Sequence, residues 1–154
     1  MRDNRTVSEF QDEHVPVRVV SSQTVFEGKV FDIQRDELTL AHSEQPIVRE
    51  YMGHPGAVVI VALRGDEGNE EILLERQYRH PVRAKLWEVP AGLLDIPGED
   101  PLIGAQRELA EEADLTAKHW DVLLDIFNSP GCSSESIRIF LARGLAPTGQ
   151  TFDR

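Results

Sequence analysis

Cysteine is almost absent from the 154-residue chain: Cys132 stands alone, so no disulfide can close within it and an oxidising compartment is not implied. Basic charge is also short. Sixteen Lys and Arg stand against 27 Asp and Glu, a formal net charge of −11. Such a surface repels a DNA or RNA backbone, which argues against general nucleic-acid binding. A small anionic substrate stays open, because a bound divalent cation inverts the local field. No stretch approaches the roughly 18 apolar residues of a membrane helix. Met1 to Val15 is polar and charged, with no apolar run of the signal-peptide kind. A cytoplasmic protein with no membrane partner is the expectation. There is no internal repeat and no low-complexity tract.

What is present is ordinary globular composition, with 40% hydrophobic and 28% charged residues. At this length one domain buries roughly two-thirds of its unfolded surface. Residues 1–14 are acidic and uneven and read as a mobile arm. From Val15 the pattern turns to short apolar-polar alternations at Val17–Val20, Gln23–Phe26, Val30–Gln34 and Glu37–Leu40, with turns at Gly28 and Ser43. Residues 15–52 thus predict a small antiparallel meander, with too little core to stand alone, that packs on the rest of the chain or on a second copy. Residues 53–154 form the main domain. Ala57–Leu63 is a continuous apolar run, and Glu71–Tyr78 after the turn Arg64–Gly68 completes a predicted hairpin at the sheet centre. Lys85–Pro90, Asp121–Phe127 and Ser136–Ala142 are further strand candidates. Leu102–Ala113 has helical periodicity, with Pro101 in the first turn, where its missing N–H costs little.

That helix carries the chemistry. Successive helical residues turn by about 100°, so with Glu108 at zero, Glu112 lies near +40° and Glu111 near −60°, on one face. Leu102, Leu109 and Ala113, with Ile103 and Ala110, are left for a buried stripe. Three carboxylates so close raise one another's pKa. Mg²⁺ resolves the conflict, since it prefers carboxylate oxygen, retained water and substrate phosphate. A solvated acidic face is the alternative for the helix taken alone.

The wider spacing decides between them. Gly92, Glu99 and Arg107-Glu108-Leu109-x-Glu111-Glu112 resemble the Nudix box, G-x5-E-x7-R-E-U-x-E-E-x-G-U with U apolar. The resemblance covers Gly92 to Leu115. Two positions depart from it: six residues separate Gly92 from Glu99, and Asp114 stands where the box has Gly. That Gly ends the helix in a left-handed conformation, which Asp visits at some cost. The resemblance implies a Nudix α/β/α sandwich with a mixed sheet, and Mg²⁺ (or Mn²⁺) held by Glu108, Glu112 and the backbone carbonyl of Ala91. Glu111 would support the metal site or orient water, and Gly92, Glu99 and Arg107 would be structural. The implied reaction is hydrolysis of a nucleoside diphosphate linked to another group.

Glu75–Arg79, Leu86–Gly92 and Asn128–Gly131, with Pro130 beyond the box, resemble the ADP-ribose pyrophosphatase branch. By that resemblance Arg79 contacts phosphate, Glu88 faces the ribose end, and Glu135 lines the pocket. The branch pairs its N-terminal strands across a two-fold axis. A homodimer is therefore implied, in which Phe31 stacks the adenine and Arg49 reaches across to the partner's site. Cys132 has no motif partner among the five histidines. The branch also implies a segment beyond Arg154 bearing a Glu that acts as general base. In its absence Glu111 and Glu135 are the candidates, and turnover would fall, since a base contributes about 10²–10⁴-fold. The same box serves other nucleoside diphosphate derivatives, such as nucleotide sugars, and weakly catalytic nucleotide sensors.

Overall fold

The apolar run forms a strand whose Val58, Ile60 and Ala62 are fully buried, while Val59 and Val61 on its other face are half-buried. In a computed structural model, which describes residues 12–41, 43 and 45–149, that strand is the fourth of twelve. The first three are β1 (Arg18–Phe26), β2 (Asp32–Thr39) and β3 (Ile47–Gly53), followed by β4 (Ala57–Arg64). Then come β5 (Glu71–Ile72), β6 (Glu75–Arg79), β7 (Ala84–Glu88) and β8 (Ala91–Leu93). Helix α1 (Pro101–Ala113) precedes β9 (Leu115–Thr116), β10 (His119–Phe127), β11 (Ser136–Arg143) and β12 (Ala146–Pro147). The main sheet is mixed: β11 runs parallel to β4 and antiparallel to β10, and β8 pairs antiparallel with β4. The core is Val58, Ile60 and Ala62 of β4, Phe140 and Ala142 of β11, and Ala105 and Leu109 of α1. One helical layer, α1, covers this face.

Asp100 caps α1 by accepting the Leu102 N–H at 2.8 Å, and Pro101 takes the first position. The buried stripe runs through Gly104, Ala105 and Leu109. Ile103 is not part of it and is 54% exposed. Six residues before Leu109 it is rotated by about 120° from the core side. Asp114 ends the helix at φ 56°, ψ 32°, the left-handed conformation, and its N–H reaches the Ala110 carbonyl. Because a Cβ is strained there, Asp114→Gly is expected to stabilise the fold by up to about 1 kcal/mol. The check is urea unfolding, and an unchanged or lower midpoint would show that side-chain interactions of Asp114 outweigh the strain.

The predicted hairpin of Ala57–Leu63 with Glu71–Tyr78 is corrected. The second segment pairs with β4 only through Leu63↔Ile72 and Arg64↔Glu71. It leaves the sheet at Leu73, whose N–H bonds the Ala62 carbonyl, and β6 pairs instead with β7 in a separate two-stranded ladder. A strand carrying Glu75, Arg76 and Arg79 suits a half-wet ribbon, whereas the sheet centre takes an apolar run like β4.

The four short N-terminal alternations merge into two strands, with bulges at Val19/Ser21 and Thr24/Phe26, and β3 is a third strand that the alternation did not mark. All nine residues of β1 are exposed, including Val19, Val20, Val25 and Phe26. The end of β3 is pinned to the main domain. Met52 donates to the Cys132 carbonyl at 2.9 Å and accepts the Ser134 N–H at 3.0 Å. Of the arm expected at 1–14, residues 1–11 lie outside the described residues, and the His14 ring meets Phe127 edge-on. Residues 150–154, the last of the domain expected at 53–154, also lie outside them.

Candidate active site

A β-strand can bring backbone close to a helix only where no side chain intervenes, and Gly92 on β8 meets that condition against α1. A Cβ there would lie 2.0–2.3 Å from the carboxyl end of Glu108. Beside it, the Ala91 N–H donates to Glu112 Oε2 at 3.2 Å. Glu108 and Glu112 are thus both seated against β8. Their neighbour Glu111 is more open, with 47% of its side chain exposed against 14% for Glu108.

Arg107 organises the loop side. It donates to both Glu99 oxygens at 3.2–3.3 Å, to Glu108 Oε1 at 2.6 Å and to Glu111 Oε2 at 3.3 Å. A Cβ on Gly104 would meet Glu99 Oε2 at 3.0 Å, so this mid-helix glycine makes room for the Glu99–Arg107 pair. Glu99 raises the Arg107 pKa, and Glu108 adds to the rise. In the six-residue interval, Leu93 stays in β8 and Leu94 packs on the core, while Asp95 to Gly98 are exposed, with Gly98 at φ 79° and no atom near its Cβ direction.

Burial pushes the Glu108 carboxyl above its usual range against the pull of Arg107. Glu112 is pushed up to about 7, by burial first and then by the charge of Glu75, with Glu108 adding further. Among the described residues no three His, Cys, Asp or Glu side chains close around a common point. Glu108 is turned to Arg107 and Glu112 to the Ala91 N–H. The donor chemistry nonetheless fits a hard divalent cation: two partly buried carboxylates in electrostatic conflict, beside a strand with backbone carbonyls. Mg²⁺ keeps waters and takes substrate phosphate, so the protein need supply few ligands.

The raised Glu112 pKa has a consequence for stability without added cation. Below about pH 4.5 the carboxyl is protonated in both folded and unfolded chains. Between there and about 7 the folded chain binds more protons, so its stability falls as pH rises. The melting temperature without divalent cation should therefore carry a component that drops from about pH 5 to pH 7, and Glu112→Gln should remove that component. A profile identical in the two proteins would mean that Glu112 titrates normally.

Beyond β8 the cleft opens to about 840 Å³. Arg79, Trp87, Glu88, Val89, Gly92 and Glu135 line it, with Val30 and His54 from the meander side. Arg79 and Glu88 form a forked ion pair at 2.6–3.1 Å. Arg79 holds the Glu88 carboxyl below its usual range. Glu135 is seated by the Asn128 side-chain amide at 2.6 Å. Arg49 and Phe31 are not brought there. The Arg49 guanidinium donates to the Val48 carbonyl, and Phe31, just before β2, is 41% exposed. Cys132 is exposed beside the Ser129 carbonyl. His54, Glu75 and Gly104 were not singled out in the sequence. Only Gly104, a glycine within a helical run, carried a local signal.

A protein of Mycobacterium tuberculosis named ADP-ribose pyrophosphatase is 45% identical over 131 residues, 85% of this chain and 61% of that protein. The chain thus spans about 61% of the length of that relative. A Bacillus methanolicus protein named methanol dehydrogenase activator is 34% identical over 84% of this chain and 67% of its own length. The crystal structure of an ADP compounds hydrolase matches with a TM-score of 0.73 at 24% identity, covering 94% of this chain and 76% of that one. At that identity the likeness speaks for the fold. The family model of the NUDIX domain spans residues 53–152, taking in β4, β8, α1 and the cleft they border, and the chain belongs to the Nudix family.

Proposed function

We propose that the chain hydrolyses the pyrophosphate bond of ADP-ribose to AMP and ribose 5-phosphate, with Mg²⁺ or Mn²⁺. One observation carries this reading: the cleft bordered by Arg79, Glu88 and Glu135 runs up to the β8 segment on which Glu108 and Glu112 are seated. The resemblance of the 45% identical relative supports the substrate. Glu108, Glu112 and the Ala91 carbonyl would hold the metal. When bound, it polarises the phosphates and lowers the pKa of water.

The chain's own residues supply position and charge. Arg79 meets a phosphate by turning from Glu88, which is thereby freed to accept a sugar hydroxyl. Glu135 accepts a hydroxyl at the far end of the cleft. Arg107 and Glu99 fix the loop before α1, and Gly92 gives the Glu108 carboxyl its space. Glu111, the most open of the three helix carboxylates, can accept a proton from attacking water, which leaves Glu135 to the sugar.

The site is completed by a second copy. The uniformly exposed β1 face, with Val19, Val20 and Phe26, supports pairing through the N-terminal strands, and Arg49 and Phe31 would then serve the partner's cleft. Such a homodimer, working in the cytoplasm on a small nucleotide, has no need of nucleic-acid or membrane contact. The test is AMP release from ADP-ribose with Mg²⁺, beside a panel of nucleotide sugars. Faster cleavage of a nucleotide sugar would replace ADP-ribose as substrate. Binding without product would favour a nucleotide sensor.

A further inference from the structure

His54 and Glu135 are far apart in sequence and meet in the cleft wall. Nε2 lies 3.6 Å from Glu135 Oε1, and the two side chains are only 10% and 16% exposed. The other ring nitrogen, Nδ1, accepts the Gly56 N–H at 3.1 Å. A ring nitrogen that accepts carries no proton, so in this arrangement the ring proton stands on Nε2 and faces the carboxylate. Gly56 at φ 98° makes the turn that aims its N–H at the ring.

Glu135 is held from the other side as well. Its Oε2 takes the Asn128 side-chain N–H at 2.6 Å, and its backbone N–H donates to Ser133 Oγ at 3.1 Å. The His54 backbone N–H in turn donates to Ser134 Oγ at 2.9 Å. At 3.6 Å the His54–Glu135 contact is not a closed hydrogen bond. It is a donor aimed at a carboxylate oxygen that still has lone pairs to offer a ligand in the cleft.

We propose that His54 is a positioning residue: through Nε2 it holds the Glu135 carboxylate in place as acceptor for a sugar hydroxyl of the substrate. This rests on the reading of the cleft as the site of a nucleoside diphosphate joined to a sugar. A carboxylate free to rotate would lose orientation on binding, whereas one braced by Asn128 and His54 is set beforehand. The competing account makes His54 a staple of the Gly56 turn and nothing more.

A double-mutant cycle separates the two. His54→Phe is expected to raise the KM for ADP-ribose roughly tenfold with kcat nearly kept, as for loss of one hydrogen bond to a charged group. His54→Gln, whose amide can place an N–H near the former Nε2, should restore most of it. In a Glu135→Gln background, His54→Phe should add less than about twofold, because the partner it positions is gone. Full additivity, with a lowered melting temperature in both backgrounds, would overturn the proposal.

A second measurement needs no substrate. The ¹⁵N resonances of the His54 ring should report a proton on Nε2 and none on Nδ1, and the Nε2 resonance should move in Glu135→Gln. A proton on Nδ1, or an Nε2 resonance that ignores the substitution, overturns the proposal even if ADP-ribose is cleaved. If ADP-ribose is neither bound nor cleaved, the substrate reading fails while the ring resonances still decide the pairing.

Discussion

Glu112→Gln should lower metal-dependent turnover by at least about 10³-fold while the melting temperature without divalent cation at pH 8 stays level or rises. The two halves have one cause. Glu112 is partly buried and faces the charges of Glu75 and Glu108, which raises its pKa to about 7. Gln keeps the shape, and its amide oxygen can still accept the Ala91 N–H. It removes the charge that burial opposes, so the cation-free fold gains. It also removes the charge that a cation requires, and loss of one preorganised electrostatic contact already costs about 10²–10³ in kcat. Retained turnover would mean that the metal sits elsewhere. A sharply lowered melting temperature would mean that the charge, not the shape, seats Glu112 on β8.

Gly92→Ala should cut kcat roughly 100-fold with little loss of stability. The added methyl would fall 2.0 Å from Glu108 Cδ, which is the far end of a flexible side chain. Glu108 can rotate away, so the fold accommodates the change. The carboxylate then leaves its place, and a displacement of about 1 Å near the chemistry costs on the order of 10²-fold. Steady-state kinetics with urea unfolding on the same protein checks both parts. Normal kcat with an altered fold would invert the assignment, making Gly92 a packing residue only.

These two predictions rest on the part of the molecule that the sequence states most openly. The run Ala57–Leu63 reads as a strand at the sheet centre, and it is β4, which supplies Val58, Ile60 and Ala62 to the core. The spacing of Glu108, Glu111 and Glu112 places them on neighbouring helical positions whatever surrounds them. What spacing does not carry is which of them is seated. Glu111 stays open, because only Glu108 and Glu112 look toward β8. The break at Leu73 was hidden because Ile72, Leu73 and Leu74 are apolar whether they continue a strand or leave it. Strand β3 was hidden because Val48-Arg49-Glu50, exposed at all three positions, shows no alternation. Ile103 misled for a related reason: apolarity marks a residue that can be buried, and rotation about the axis decides whether it is. The His54–Glu135 meeting left no trace in one sequence, since nothing local to either residue points to the other.

The join between β3 and the 129–135 loop has a thermodynamic corollary. Met52, two residues before His54, is bonded to Cys132 and to Ser134, the residue before Glu135. A ligand that orders Glu135 therefore works on the same backbone segment as whatever packs on the N-terminal sheet. Linkage between two such events is reciprocal: the factor by which association of that sheet tightens nucleotide binding is the factor by which nucleotide tightens association. A dissociation constant for self-association measured with and without ADP-ribose would read that factor directly.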